Sequence, residues 1–187
     1  MPDDIVLIGP VRAGKSTVGK LLAGRLGLPQ VSLDNLRYDY YREIGFDEAH
    51  AQNLRKSEGF VAMMYYRELF AAHAVERMLS DYQNCVFDFG AGIYESDEMF
   101  RRVQKALAGY PNVVLLLPSA NVEETLKILA ERDLNPPKDL SIDVSAHFLR
   151  HHTYYDLAKM TVYTQGKTPE ESCMEILERV AIITENR

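Results

Sequence analysis

The chain has no tryptophan, only two cysteines, no basic block and no long apolar run. Each shortage closes off a class of function. Cys85 and Cys173 lie far apart in apolar segments, with neither the spacing of a zinc site nor the number of a disulfide scaffold. They read as buried free thiols of a reducing compartment, and a cytoplasmic location is expected. The longest apolar run, residues 113–117, falls far short of the roughly 20 residues that cross a bilayer, so no membrane partner is expected. A net charge of −6 over 187 residues, without a stripe of Lys and Arg, argues against a nucleic-acid partner. The acidic opening Met1-Pro2-Asp3-Asp4 runs straight into an apolar segment and does not read as a secretory leader. Repeats, low-complexity tracts and long linkers are missing too. What remains is an ordinary globular composition, 47% apolar and 26% charged, in a length that suits one domain.

The organising stretch is residues 5–17, Ile-Val-Leu-Ile-Gly-Pro-Val-Arg-Ala-Gly-Lys-Ser-Thr. Four apolar residues predict a short buried strand, and Gly-x4-Gly-Lys-Ser follows at once. Gly9 and Gly14 permit backbone angles closed to other residues, so the loop through Arg12 and Ala13 can turn its N–H groups toward a phosphate. Lys15 supplies a mobile cation, Ser16 a hydroxyl for Mg²⁺, and the helix continuing through Thr17 aims its positive end at the same anion. Val18, Leu21, Leu22 and Leu26 recur at helical spacing up to Gly27. The alternative, a tight turn that happens to contain these residues, does not explain why strand and helix flank it. A phosphate-bearing ligand with Mg²⁺ is therefore expected.

Beyond this helix the pattern alternates. A strand at 30–33 delivers Asp34, and two short helices broken near Gly45 fill a tyrosine-rich region, 35–59. A long helix spans 60–79, with Val61, Met64, Leu69, Val75 and Leu79 supplying much of its buried stripe. Strand three covers 84–89 and ends in Asp88-Phe89-Gly90-Ala91-Gly92. Ser96 caps a helix to about 108, strand four covers 112–117, and Asn121 caps the next helix with Glu124 as reciprocal partner. Residues 131–143 contain Asn135-Pro136-Pro137 and cannot be regular helix. A helix at 144–159, a strand at 160–164 and a last helix opened by Thr168-Pro169 complete the chain. Strands alternating with helices imply an α/β fold, a parallel sheet covered on both faces, with ligands beyond the carboxyl ends of the strands. Lys15, Asp34, Asp88 and Gly90 all fall at those ends.

Asp34 reads as an acceptor ligand, a proton acceptor, an outer ligand of Mg²⁺, or simply a helix cap. Asp88 reads as a carboxylate that reaches Mg²⁺, directly or through water, or as a turn carboxylate satisfied by the following glycines. Gly90-Ala91-Gly92 bares backbone to which an acceptor can come close. Asp88-Phe89-Gly90 also spells a protein-kinase signature, but its His-Arg-Asp loop is missing, as is the Asn-Lys-x-Asp of a GTPase. His147, His151 and His152 lack the intervening carboxylate of a zinc protease and read as a polar face.

Together these landmarks resemble shikimate kinase and the small P-loop kinases related to it. The resemblance implies a three-layer fold whose five-stranded parallel sheet has the order 2-3-1-4-5. It covers one domain over 1–187, with an acceptor-binding insert at about 35–80 and a lid at about 131–143. Gly9–Ser16 matches the phosphate loop, and Asp34 the acceptor aspartate. Tyr66-Arg67 stands for the family's Phe-Arg pair, Gly90-Ala91-Gly92 for its triple glycine, and Arg150 with Tyr154 and Ala158 for the run whose arginine holds the acceptor carboxylate. Ser32, Ala91 and Lys159 depart from the family pattern. The implied activity is transfer of phosphate from ATP to a hydroxyl of a small anionic metabolite, by a monomer or homodimer, and the departures from the pattern argue against shikimate as that metabolite. Lys15, Asp34 and Arg132 are the expected catalytic residues. Gly9, Arg12, Ala13, Gly14, Lys15, Ser16 and Thr17 hold the nucleotide, and Ser16 and Asp88 the metal. Asp34, Arg67, Gly90, Ala91, Gly92 and Arg150 hold the acceptor. The alternative is a nucleotide-binding regulator with little or no kinase activity.

Overall fold

The structure, a computed structural model, describes residues 4–90, 94–132 and 144–185. Its centre is β1 (Ile5–Ile8), which pairs in parallel with β3 (Val86–Asp88) on one side and β4 (Asn112–Leu117) on the other. β2 (Gln30–Ser32) and β5 (Met160–Tyr163) complete a sheet of order β2-β3-β1-β4-β5, the expected one. Every pairing is parallel, so all five carboxyl ends lie along one edge.

Alternation along β1 divides the core. Val6 and Ile8 belong to one apolar cluster, and Ile5 and Leu7 to the other. On the second face, α1 (Lys15–Leu26) packs against α9 (Pro169–Glu185). The first face carries α2 (Leu33–Glu43), α3 (Glu48–Ser57), α4 (Phe60–Asp81) and α5 (Asp97–Leu107), with α4 in contact with the other three. Burying both faces of a parallel sheet explains why β1 and β4 are apolar along nearly their whole length.

Several boundaries differ from the expectation. β2 stops at Ser32, so Leu33 begins α2 and Asp34 sits in the first helical turn rather than beyond a strand. The buried side of α4 runs through Met63, Glu68, Phe70, Ala74, Val75 and Met78, which leaves Leu69 44% exposed; Leu26 likewise faces solvent. α6 (Val122–Glu131) is capped by Asn121, which accepts from the Glu124 N–H, but the Glu124 carboxylate accepts from Ser119 and Gln165 instead of returning the bond. The helix expected over 144–159 is two, α7 (Val144–Arg150) and α8 (Thr153–Leu157), and the His151 ring bonds the Thr153 hydroxyl across the break. Thr168 and Glu171 form a reciprocal cap at the head of α9. Both cysteines are buried free thiols.

Candidate active site

The loop after β1 is shaped by three unusual backbone positions. Gly9 has φ 140°, and a β-carbon there would lie 2.5 Å from the Leu116 carbonyl oxygen of β4, so no other residue fits without moving the central strands. Arg12 (φ 66°) and Gly14 (φ 97°) then take the left-handed region and deliver the chain into α1. No side chain caps α1, so its first N–H groups face the loop's concavity, where a phosphate would find both hydrogen bonds and the positive helix end.

Lys15 is folded into this loop. Its Nζ donates to the Gly9 and Pro10 carbonyls, both at 2.8 Å. Burial brings its pKa down to about 8, opposed by the negative charges of Asp88 and Asp34. Asp88, at the end of β3, is 4% exposed. Burial pushes its pKa up, against a hydrogen bond from Ser16 and the charge of Lys15. A buried carboxylate joined to a serine hydroxyl is a hard-oxygen pair, the ligand chemistry Mg²⁺ prefers, so the residues fit that metal. Arg132 reaches back from the end of α6 and donates to the Arg12 carbonyl at 3.1 Å, which puts its guanidinium over the phosphate loop.

Across the same edge lies a cavity of about 90 Å³ lined by residues of α2 and α4 together with Gly90 and Tyr94. Asp34 enters it from the first turn of α2. Its carboxylate rests against the Gly90 α-carbon, where a β-carbon would come within 2.5 Å of Oδ1. Arg37, one turn on, donates from Nη1 to that Oδ1 at 2.9 Å. Arg67 enters from α4, bonds the Tyr38 hydroxyl at 3.0 Å and lies over the rings of Tyr38 and Phe46. Glu68 is 6% exposed and accepts from the backbone N–H groups of Glu95 and Ser96 at the head of α5. Tyr94 is buried, which drives its hydroxyl pKa far up and keeps it a neutral donor.

The structure therefore brings Lys15, Ser16, Asp88, Asp34, Gly90, Arg67 and Arg132 to one edge. Ala91 and Gly92 lie outside the described residues, as does the expected lid beyond Arg132. Arg150 is placed elsewhere. Its guanidinium pairs with Glu123 at 3.0 Å, with side chains 63% and 74% exposed, and it does not line the cavity. The break between α7 and α8 lies immediately after it, whereas the sequence reading carried one helix through this point. The three histidines are taken up separately, His147 by Glu95, His151 by Thr153 and His152 by Asp156. Two charged lining residues escaped the sequence reading. Arg37 carried a signal, three residues after Asp34 and hence on the same helix face; Glu68 carried none beyond its position next to Arg67.

Residues 12–181 match the shikimate kinase family. Among curated relatives, the shikimate kinase of Streptomyces coelicolor is 34% identical over 186 residues, covering 95% of each chain. That of Enterococcus faecalis is 28% identical over 195 residues, covering 95% of this chain and 98% of its own. Among solved structures, shikimate kinase from Acinetobacter baumannii in complex with shikimate superposes with a TM-score of 0.65 at 24% identity over 99% of this chain and 94% of that one. A gluconokinase from Sinorhizobium meliloti has a TM-score of 0.58 at 20% identity, over 99% and 95% of the two chains. No helix among the described residues is long and apolar enough to cross a membrane. With its sheet order, its phosphate loop and these matches in agreement, the chain belongs to the shikimate kinase family and is an ATP-dependent kinase of a small metabolite.

Proposed function

We propose that the protein moves the γ-phosphate of ATP to a hydroxyl of a small carboxylic acid other than shikimate, in the cytoplasm, using residues 35–80 of its one domain as the acceptor-binding insert. The observation that carries this reading is the position of Lys15, which feels the negative charges of Asp88 on the metal side and of Asp34 on the acceptor side. Phosphate cation, metal carboxylate and acceptor carboxylate thus converge at the edge where parallel sheets bind their ligands.

On this reading the loop N–H groups of residues 9–17 and Lys15 hold the phosphates, and Ser16 and Asp88 hold Mg²⁺. The metal, when bound, supplies positive charge that offsets what develops on the transferring group. Asp34 accepts the proton of the acceptor hydroxyl as its oxygen bonds to phosphorus and the bond to ADP breaks. Arg132 lies where it can neutralise the same developing charge. Arg67 holds the acceptor's acid group. Since Arg150 is paired with Glu123 outside the cavity and Arg37 stands inside it, the acid group is gripped differently from what the resemblance implied, and shikimate is not expected to be the best acceptor.

The test is phosphate transfer from ATP with Mg²⁺ to shikimate, other hydroxy acids and neutral polyols, followed by ³¹P NMR. Transfer to a hydroxy acid, faster than to shikimate or any neutral polyol, is expected. Nucleotide binding without transfer to any compound would instead favour the regulator.

A further inference from the structure

Resting on the reading of this cavity as an acid-binding acceptor site, we infer that Arg37 is a specificity-determining residue, the second guanidinium that grips the acceptor's carboxylate beside Arg67.

Taken alone, the Arg37–Asp34 contact is a pair three residues apart on an exposed helical turn, a type that contributes little and is common on surfaces. Three further observations separate it from that class. Arg37 is one of the residues that line the cavity Asp34 enters. Its Cζ lies 5.1 Å from the Tyr38 ring centroid and that of Arg67 5.8 Å from the same ring, so one aromatic side chain contacts both guanidinium groups of the lining. Arg37 Nε is buried and has no hydrogen-bond partner among the described residues. A buried donor left unpaired is costly, so an N–H in this state beside a cavity is a donor held for a ligand.

The charges of the cavity set the ligand's class. Glu68 spends its carboxylate on the Glu95 and Ser96 N–H groups, and Asp34 takes one arm of Arg37. The contacts described for Arg67 are a phenol hydroxyl and two aromatic faces, with no carboxylate among them. With Asp34 paired to Arg37 and Glu68 turned to the N–H groups at the head of α5, Arg67 is the cavity's guanidinium whose described contacts include no carboxylate, and its single charge is left for a ligand. A carboxylate matches that single charge and the planar fork of the guanidinium groups; a phosphate ester's second charge would have no partner there. Because Arg37 also holds Asp34 Oδ1, the arginine that senses the acid group fixes the carboxylate that meets the hydroxyl. The site therefore favours acceptors whose hydroxyl and carboxylate lie close together.

The test uses the full chain with ADP and Mg²⁺ and reads the arginine Nε–H resonances, Arg37 being assigned through Arg37→Lys. Shikimate, glycerate and malate are titrated, each against its neutral methyl ester. At least one acid should shift the Arg37 and Arg67 resonances saturably, and its ester should shift neither. Arg37→Ala should weaken that acid about tenfold or more while leaving ADP affinity unchanged, and Arg37→Lys should fall between. An Arg67 resonance that moves while Arg37 stays still, or an Arg37→Ala variant that binds the acid as well as wild type, would overturn the assignment and leave the acid-acceptor reading intact. If no acid moved either resonance, the acid-acceptor reading itself would fall with it.

Discussion

The phosphate-loop half and the acceptor half of the site meet at one sheet edge but are built by different means. The first is made of backbone. Gly9 is held by its closeness to Leu116, Gly14 by its left-handed angle, and Lys15 by two carbonyls of its own loop. The second is made of side chains from α2 and α4, a helix pair separated in sequence by α3 and held together by aromatic packing of Tyr38, Tyr41, Phe46, Tyr66 and Phe70. Backbone geometry fixes what every nucleoside triphosphate shares, whereas side chains on packed helices can be exchanged without disturbing the sheet. Nucleotide use is thus rigidly determined, and acceptor choice is open to change.

The largest expected effect breaks the first half alone. Lys15→Ala removes charge-assisted contacts worth about 1.5–3 kcal/mol each, so nucleotide affinity should fall at least about tenfold and turnover about a hundredfold. Calorimetry with Mg-ATP and initial rates measure both, and an unchanged pair of values would refute the loop's role. Gly90→Ala breaks the second half alone. Its methyl would come within 2.5 Å of Asp34 Oδ1 and displace that carboxylate. Turnover should drop about tenfold or more from the misplacement, with Mg-ATP affinity held within about twofold. A comparable loss in both quantities would show that the halves are not separable.

A smaller effect sharpens the comparison through pH. Burial brings the Lys15 pKa down to about 8, and phosphate must raise it again, so binding takes up a proton above that pH. The ammonium form, which binds, predominates below about pH 8 and is lost as pH rises through it. Nucleotide affinity should therefore weaken about tenfold between pH 7 and 9, with proton uptake visible as buffer-dependent binding heat. In Lys15→Ala this dependence should disappear.

The same contrast governs how much was legible in the sequence. The phosphate loop, β1 and β4 could be read because each is fixed by residues adjacent in the chain: glycines, a continuous apolar run, a lysine at set spacing. Asp88 and Gly90 followed from their places at and just beyond the end of β3, whereas Asp34 was read at a strand end and stands in the first turn of α2. The acceptor wall was harder to read because its contacts are distant in sequence. Extending β2 through Leu33 hid the helical turn that sets Arg37 over Asp34, and nothing in residues 60–79 distinguishes Glu68 inward from Leu69 outward except packing against the head of α5. The place of Arg150 was hidden for the complementary reason. Its spacing to Tyr154 matched the family run, but the chain breaks between α7 and α8, and Glu123 on α6 takes the guanidinium.

The central claim is that Asp34 joins the two halves, by taking the acceptor's proton opposite the phosphate loop. The most direct measurement is Asp34→Asn, an isosteric change that keeps the contact with Gly90 and removes the base. Proton acceptance of this kind contributes about 10²–10⁴-fold, so transfer to the best hydroxy acid should fall by at least about a hundredfold while Mg-ATP affinity stays within about twofold. Transfer at the wild-type rate in Asp34→Asn would contradict the account.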